Sequence, residues 1–104
     1  MIEDKIQFIA KKVLDMDHMF DDRYAYGEGK TKKFNPIKSA KDCDFFLKAM
    51  AEKGNVALLI WHASGRISCC FDHNGDSSCL NHIGESRGCA VVDSAYKLLW
   101  RKND

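Results

Sequence analysis

Proline is nearly missing from this 104-residue chain, Pro36 being the only one, and with seven glycines it leaves little material for collagen-like or low-complexity segments. Neither sign of charge is in excess. Sixteen basic side chains against fifteen acidic ones give a net charge of +1, so no global field draws the chain to nucleic acid or to a membrane surface, and any such bias must be local. No apolar run approaches the roughly 18 residues of a membrane helix. The opening MIEDKIQF begins with acids and turns amphipathic, unlike a cationic, apolar secretion signal, which points to a cytoplasmic setting. There is no internal repeat and no linker, and a chain of this length holds one core, so residues 1–104 are expected to form a single globular domain.

What is present reads as alternating helix and strand signals. Ile2, Ile6, Ile9, Val13, Met16 and Phe20 recur at spacings of three and four, the stripe of an amphipathic helix over 2–18. Phe8 and Leu14 fall off that stripe. Residues 21–38 suggest a short edge hairpin in which lysines discourage edge pairing, closed by Pro36. Ser39 is placed to cap a helix over 40–53 by accepting from the amide of Lys41 or Asp42, and Gly54 is placed to end it. Val56 to Trp61 is an unbroken apolar run, as in a central strand covered on both faces. Asn74-Gly75 is a strong two-residue hairpin signal and sets Cys70 opposite Cys79, Cys69 opposite Leu80 and Ile67 opposite His82. Ile67, Cys69, Phe71 and Leu80 then share the core face. A last helix covers 89–102, with Lys97, Arg101 and Lys102 suited to its negative end. The expected fold is a two-layer α+β domain: an antiparallel sheet of three to five strands, with the meander 55–84, packed on helices 2–18, 40–53 and 89–102.

Five cysteines are an odd number without a regular framework, so reduced thiols are expected. Cys69, Cys70, His73, Cys79, His82 and Cys89 have finger-like spacings, but the hairpin register sends the Cys70–Cys79 pair and the two imidazoles to opposite faces. No metal site follows. Facing Cys70 and Cys79 could be joined by oxidation, yet neither has a basic neighbour to lower its pKa. Cys89 near a helix start, with His82 as base and Asp93 as orienter, can be written as a catalytic triplet, though no local signature surrounds it. Asp15, Asp17, Asp21 and Asp22 with His18 are rich in oxygen but lack calcium-loop spacing, and read as a solvated helix end. Small residues packed in a core, no cofactor and no catalysis are the expectations here.

The strongest local bias is basic. Lys30, Lys32, Lys33, Lys38 and Lys41 fall in one stretch with no acid among them, beside Tyr24, Tyr26 and Phe34. Cations that neutralise phosphate and aromatic faces that stack on bases suit a nucleic-acid-binding module over 24–41. The same residues suit an acidic protein surface. Tyr24, Tyr26, Lys30, Lys32, Lys33 and Phe34 are therefore the candidate partner-binding residues.

The segment FNPIKSAKDCDFFLKAM resembles one found in small uncharacterised proteins of tailed phages and prophages: an aromatic residue before Asn-Pro-aliphatic, then an acidic helix start and an apolar helix. Phe34, Asn35, Pro36, Ile37, Asp42 and Leu47 carry the likeness, and VVDSAYKLLWRK sits where the last helix of those proteins lies. The resemblance implies an accessory phage protein without catalytic residues. Together with the lack of any catalytic signature and the split of charge into an acidic stretch at 15–22 and a basic one at 30–41, it leads to the expectation of a non-enzymatic protein that binds a host or phage macromolecule in the host cytoplasm, a protein such as a defence or regulatory factor first of all.

Overall fold

The computed structural model describes residues 2–73, 82–84 and 86–102, with side chains of 72–73, 82–84 and 101–102 left aside. Among the described residues, three helices and two small antiparallel sheets make an α+β fold. Helix α1 (Ile2–Leu14) leads into sheet A, formed by β1 (Asp17–Phe20), β2 (Arg23–Ala25) and β3 (Thr31–Lys33) in that order. Helix α2 (Ala40–Glu52) then leads into sheet B, formed by β4 (Asn55–Trp61), β5 (Ile67–His73) and β6 (His82–Gly84), again in chain order. Helix α3 (Arg87–Lys102) packs on β5, β6 and α1.

Helix α1 stops four residues before the expected end. Asp15 takes a left-handed φ of 52°, a conformation that ends helical repetition, and the Met16 amide turns back onto the Ala10 carbonyl at 3.2 Å. The next residues become β1. Its pairing with β2 is interrupted by a bulge between His18 and Phe20, while β2 and β3 pair regularly, Tyr24 opposite Lys32. The suspected hairpin is thus β2 and the edge strand β3 of a three-stranded sheet, with β1 added on its other side.

Helix α2 keeps nearly its expected bounds because its cap forms: the Asp42 amide donates to Ser39 Oγ at 3.3 Å. Gly54, at φ 87°, turns the chain into β4. The entry to α2 is knotted by Asn35, whose side-chain oxygen accepts from the amides of Ile37 (3.0 Å) and Lys38 (3.1 Å). Its side-chain nitrogen donates to Asp22 Oδ1, and its backbone amide donates to Asp42 Oδ2 at 2.8 Å. The turn before α2 is thereby tied to the loop between β1 and β2.

Strand β4 is the main correction to the sequence reading. It lies at an edge of sheet B, and its alternate side chains Val56, Leu58 and Ile60 face outward and are exposed. In a three-strand meander the middle strand is the second one. The doubly covered strand is indeed β5, where Ile67, Cys69 and Phe71 on one face and Ser68 and Cys70 on the other are all buried. The β5–β6 register also differs from expectation, with Cys69 opposite His82 and Ile67 opposite Gly84. Since this is a displacement of two residues, and side chains alternate with a period of two, Ile67, Cys69 and Phe71 keep the core face. The Asn74-Gly75 turn, Cys79 and Leu80 lie outside the described residues.

The core joins all three helices to both sheets through Ile9, Phe34, Phe46, Met50, Cys69, Val91 and Val92. Phe8, off the main stripe of α1, finds its cover on α3: it meets Tyr96 edge-on at 5.2 Å between ring centroids and Trp100 at 5.8 Å. Lys5 Nζ donates to Asp93 Oδ1 at 2.8 Å across the same seam. At the start of α3, Gly88 lies against the backbone of residues 36–37 so closely that an added Cβ would stand 2.3 Å from the Pro36 carbonyl oxygen.

Candidate functional site

The six residues singled out from sequence do not form one surface. Tyr24 and Phe34 are 2% and 0% exposed and belong to the core, where their rings meet edge-on at 5.9 Å. Neither can stack on a base or anchor a partner. The cause is the alternation of the strand: Tyr24 on β2 points inward and the half-buried Lys32 on β3 falls on the same face, while His18, opposite Tyr24 on β1, stays exposed with its ring 5.2 Å from that of Tyr24. Lys32 accordingly crosses the ring of Phe45 on α2, its ammonium 4.1 Å from the ring centroid, a cation–π contact that occupies the charge. Lys33 falls on the opposite face, and Lys30 sits by the Gly27–Gly29 turn with Tyr26. The five-lysine stretch is therefore divided among two faces of sheet A, a turn and the start of α2.

The acidic stretch is tied up in local structure. Lys11 Nζ reaches Asp17 at 2.9 Å and Asp15 at 3.4 Å, and the hydrogen bond it donates to Asp17 is the main cause that raises the Lys11 pKa. A ring nitrogen of His18 lies 2.9 Å from the Asp21 carbonyl, and Asp22 accepts from Asn35. Among the described residues no group of three or more His, Cys, Asp and Glu side chains is placed to hold a metal ion.

The thiols separate into three settings. Cys43 and Cys69 are buried free thiols, and desolvation pushes both pKa values up, Cys69 to about 11. Each is a poor nucleophile at neutral pH. Cys89 is a half-buried free thiol in the first turn of α3, its amide donating to Ser86 Oγ at 3.2 Å. Asp93, the imagined orienter of a Cys89 triplet, is committed to Lys5 instead. Cys70 is disulfide-bonded, which corrects the expectation that every thiol is reduced.

Open grooves lie among the described residues. One of about 560 Å³ lies between α1 and α2, lined by Val13, Leu14, Phe45, Ala49 and the charged Lys48 and Glu52. Another, about 250 Å³, lies where α2 and α3 begin, beside Pro36, Cys43 and Gly88. The one guanidinium there, Arg87, already donates to Asp44 Oδ1 at 2.6 Å and to the Ala40 carbonyl at 3.3 Å.

The outer side of β4 is different in kind. Val56 and Leu58 are each 57% exposed and Ile60 44%, a row on one face, and Trp61, at the end of the strand on the other face, is 64% exposed. The strand pairs with β5 without interruption from Asn55↔His73 to Trp61↔Ile67, so this edge is straight. No described strand pairs with its other side. Asn55–Trp61 contains no charge and no proline. At the far end of the hairpin, the His62 amide donates to the Arg66 carbonyl at 2.8 Å and a His62 ring nitrogen bonds Ser68 Oγ, which fixes the turn that leads into β5. This surface was missed in the sequence because a continuous apolar run reads as double burial. The available signal was topological, since the first strand of a meander is an edge.

No helix among the described residues is long and apolar enough to cross a membrane. No protein-family model, curated protein or solved structure matches the chain.

Proposed function

We propose that this is a small non-enzymatic binding protein that works through contact with another protein, and that the outer side of β4 is the contact. The observation that carries the reading is the exposed row Val56, Leu58 and Ile60 on an uncharged edge strand, with Trp61 exposed at the end of the strand on its other face. Contiguous exposed apolar surface is uncommon on monomers and marks interaction sites, and an unpaired strand edge adds a row of backbone donors and acceptors for a partner strand. The partner class, a host or phage protein met in the host cytoplasm, rests on the likeness of residues 34–50 to phage accessory proteins. In this fold the residues that carry that likeness build the entry to α2, with Phe34 and Pro36 buried and Asn35 knotting the turn.

Oligonucleotide contact through Tyr26, Lys30 and Lys33 is the second reading, favoured by the exposure of Tyr26 and Lys30 at the turn between β2 and β3 and of Lys33 at the far end of β3. It has lost Tyr24 and Phe34 to the core and Lys32 to Phe45. A photo-reactive amino acid at position 58, activated in cells, separates the two. Covalent capture of a polypeptide at that position, absent when the probe stands at Lys33, is the expected result. Protein capture only at Lys33, or nucleic acid captured there and nothing at 58, contradicts the proposed contact.

A further inference from the structure

We infer that the partner of β4 is a second copy of this chain, joined edge to edge with its own β4 about a two-fold axis at Leu58. The inference rests on the reading of β4 as the contact surface and names its occupant. Strands are antiparallel across such an axis, so Leu58 faces Leu58 and Val56 faces Ile60 of the second copy. Every outward pair along the seam is then aliphatic on aliphatic. Asn55–Trp61 holds no charge, so the strand meets its own copy without like-charge conflict. The seam is geometrically ready: seven unbroken pairs with β5 leave the outer edge of β4 straight, and among the described residues it carries none of the bulges, lysines or prolines that protect lone edges.

Contact points the same way. Val56, Leu58 and Ile60 lie on one face of the sheet, so pairing at the edge sets each of these exposed side chains beside an aliphatic one of the second copy, while the backbone groups along the seam bond across it. Closure distinguishes a dimer from an open fibre. Pairing β4 with β4 uses the same patch on both chains, and the strands left at the two ends of the resulting six-stranded sheet are the three-residue β6 strands, short for further addition.

The test is the solution mass of the full chain by sedimentation, across a dilution series, for the natural sequence and for Leu58→Lys, Val56→Glu, Ile60→Lys and the double variant V56E/I60K. The natural chain is expected at twice its chain mass. Leu58→Lys sets two ammonium groups face to face on the axis and should raise the dimer dissociation constant roughly tenfold or more. Val56→Glu and Ile60→Lys should each weaken the dimer, and the double variant should recover it, because position 56 faces position 60 across the axis and not within one strand. Circular dichroism matching the natural chain identifies the variants that are folded. A natural chain that stays monomeric at the highest concentration overturns the inference, as does a folded Leu58→Lys that remains dimeric. If the probe at position 58 captures only a different protein, the contact surface stands and the second copy is refuted.

Discussion

Sheet A and sheet B are both three-stranded and antiparallel, but they treat their edges in opposite ways. Sheet A is built of strands of three or four residues, its outer strand β1 is bulged, and its other outer strand β3 is the run Thr-Lys-Lys. Sheet B presents a seven-residue edge strand that is straight and uncharged. The inner faces are alike: Tyr24 and the following Phe34 pin sheet A to the core as Cys69 and Phe71 pin sheet B. The lesson is that edge chemistry, and not the density of charge or aromatics in the sequence, separates a guarded surface from an available one.

The comparison can be broken most severely at its buried anchors. Phe34→Ala should cost about 3–5 kcal/mol in urea unfolding, against less than about 1 kcal/mol for Leu58→Ala measured on dissociated chains. Equal costs would mean that sheet B is not exposed as described. Alkaline titration sharpens it next. Cys69 is protonated in the folded chain up to about 11, against an ordinary thiol near 9, and Tyr24 up to about 12 against an ordinary 10, both chiefly through desolvation. The unfolded chain therefore ionises first, so stability is whole below pH 9, falls by about 2–3 kcal/mol from Cys69 between pH 9 and 11, and falls again from Tyr24 between 10 and 12. Tyr24→Phe should remove the upper step alone when unfolding is followed against pH.

Gly88→Ala tests the joint between the halves, where α3 leans on the turn that leaves sheet A. Its Cβ would meet backbone of residues 36–37, which cannot swing aside as a side chain can, and a thermal melt should show a loss of about 1–3 kcal/mol. The smallest effect is expected at Phe45→Ala, where the cation–π contact with Lys32 contributes about 0.5–1 kcal/mol. If that variant instead gains strong, salt-sensitive oligonucleotide binding, the lysine surface of sheet A is the working one.

Much of the architecture was legible in the chain. The Ser39 cap, the Gly54 exit and the three helical stripes sit where local chemistry puts them, because capping and periodicity act within a turn or two. What was not legible depended on distant neighbours. Tyr24 and Lys32 look like a binding pair until the strand register turns both inward and Phe45 takes the lysine. Val56–Trp61 looks doubly buried until the sheet order leaves it at an edge. Asp15 looks like one more helical residue until its left-handed backbone starts a strand. The site suffered more than the fold for this reason, since exposure is a property of the assembled layers.

Amide hydrogen exchange along β4 tests the central claim most directly. In concentrated solution the outward-facing amides of Val56–Trp61 should exchange slowly, and they should speed up on dilution and in Leu58→Lys, while those of β1 and β3 stay the same. Exchange on β4 that is fast and indifferent to concentration and to Leu58→Lys would contradict it.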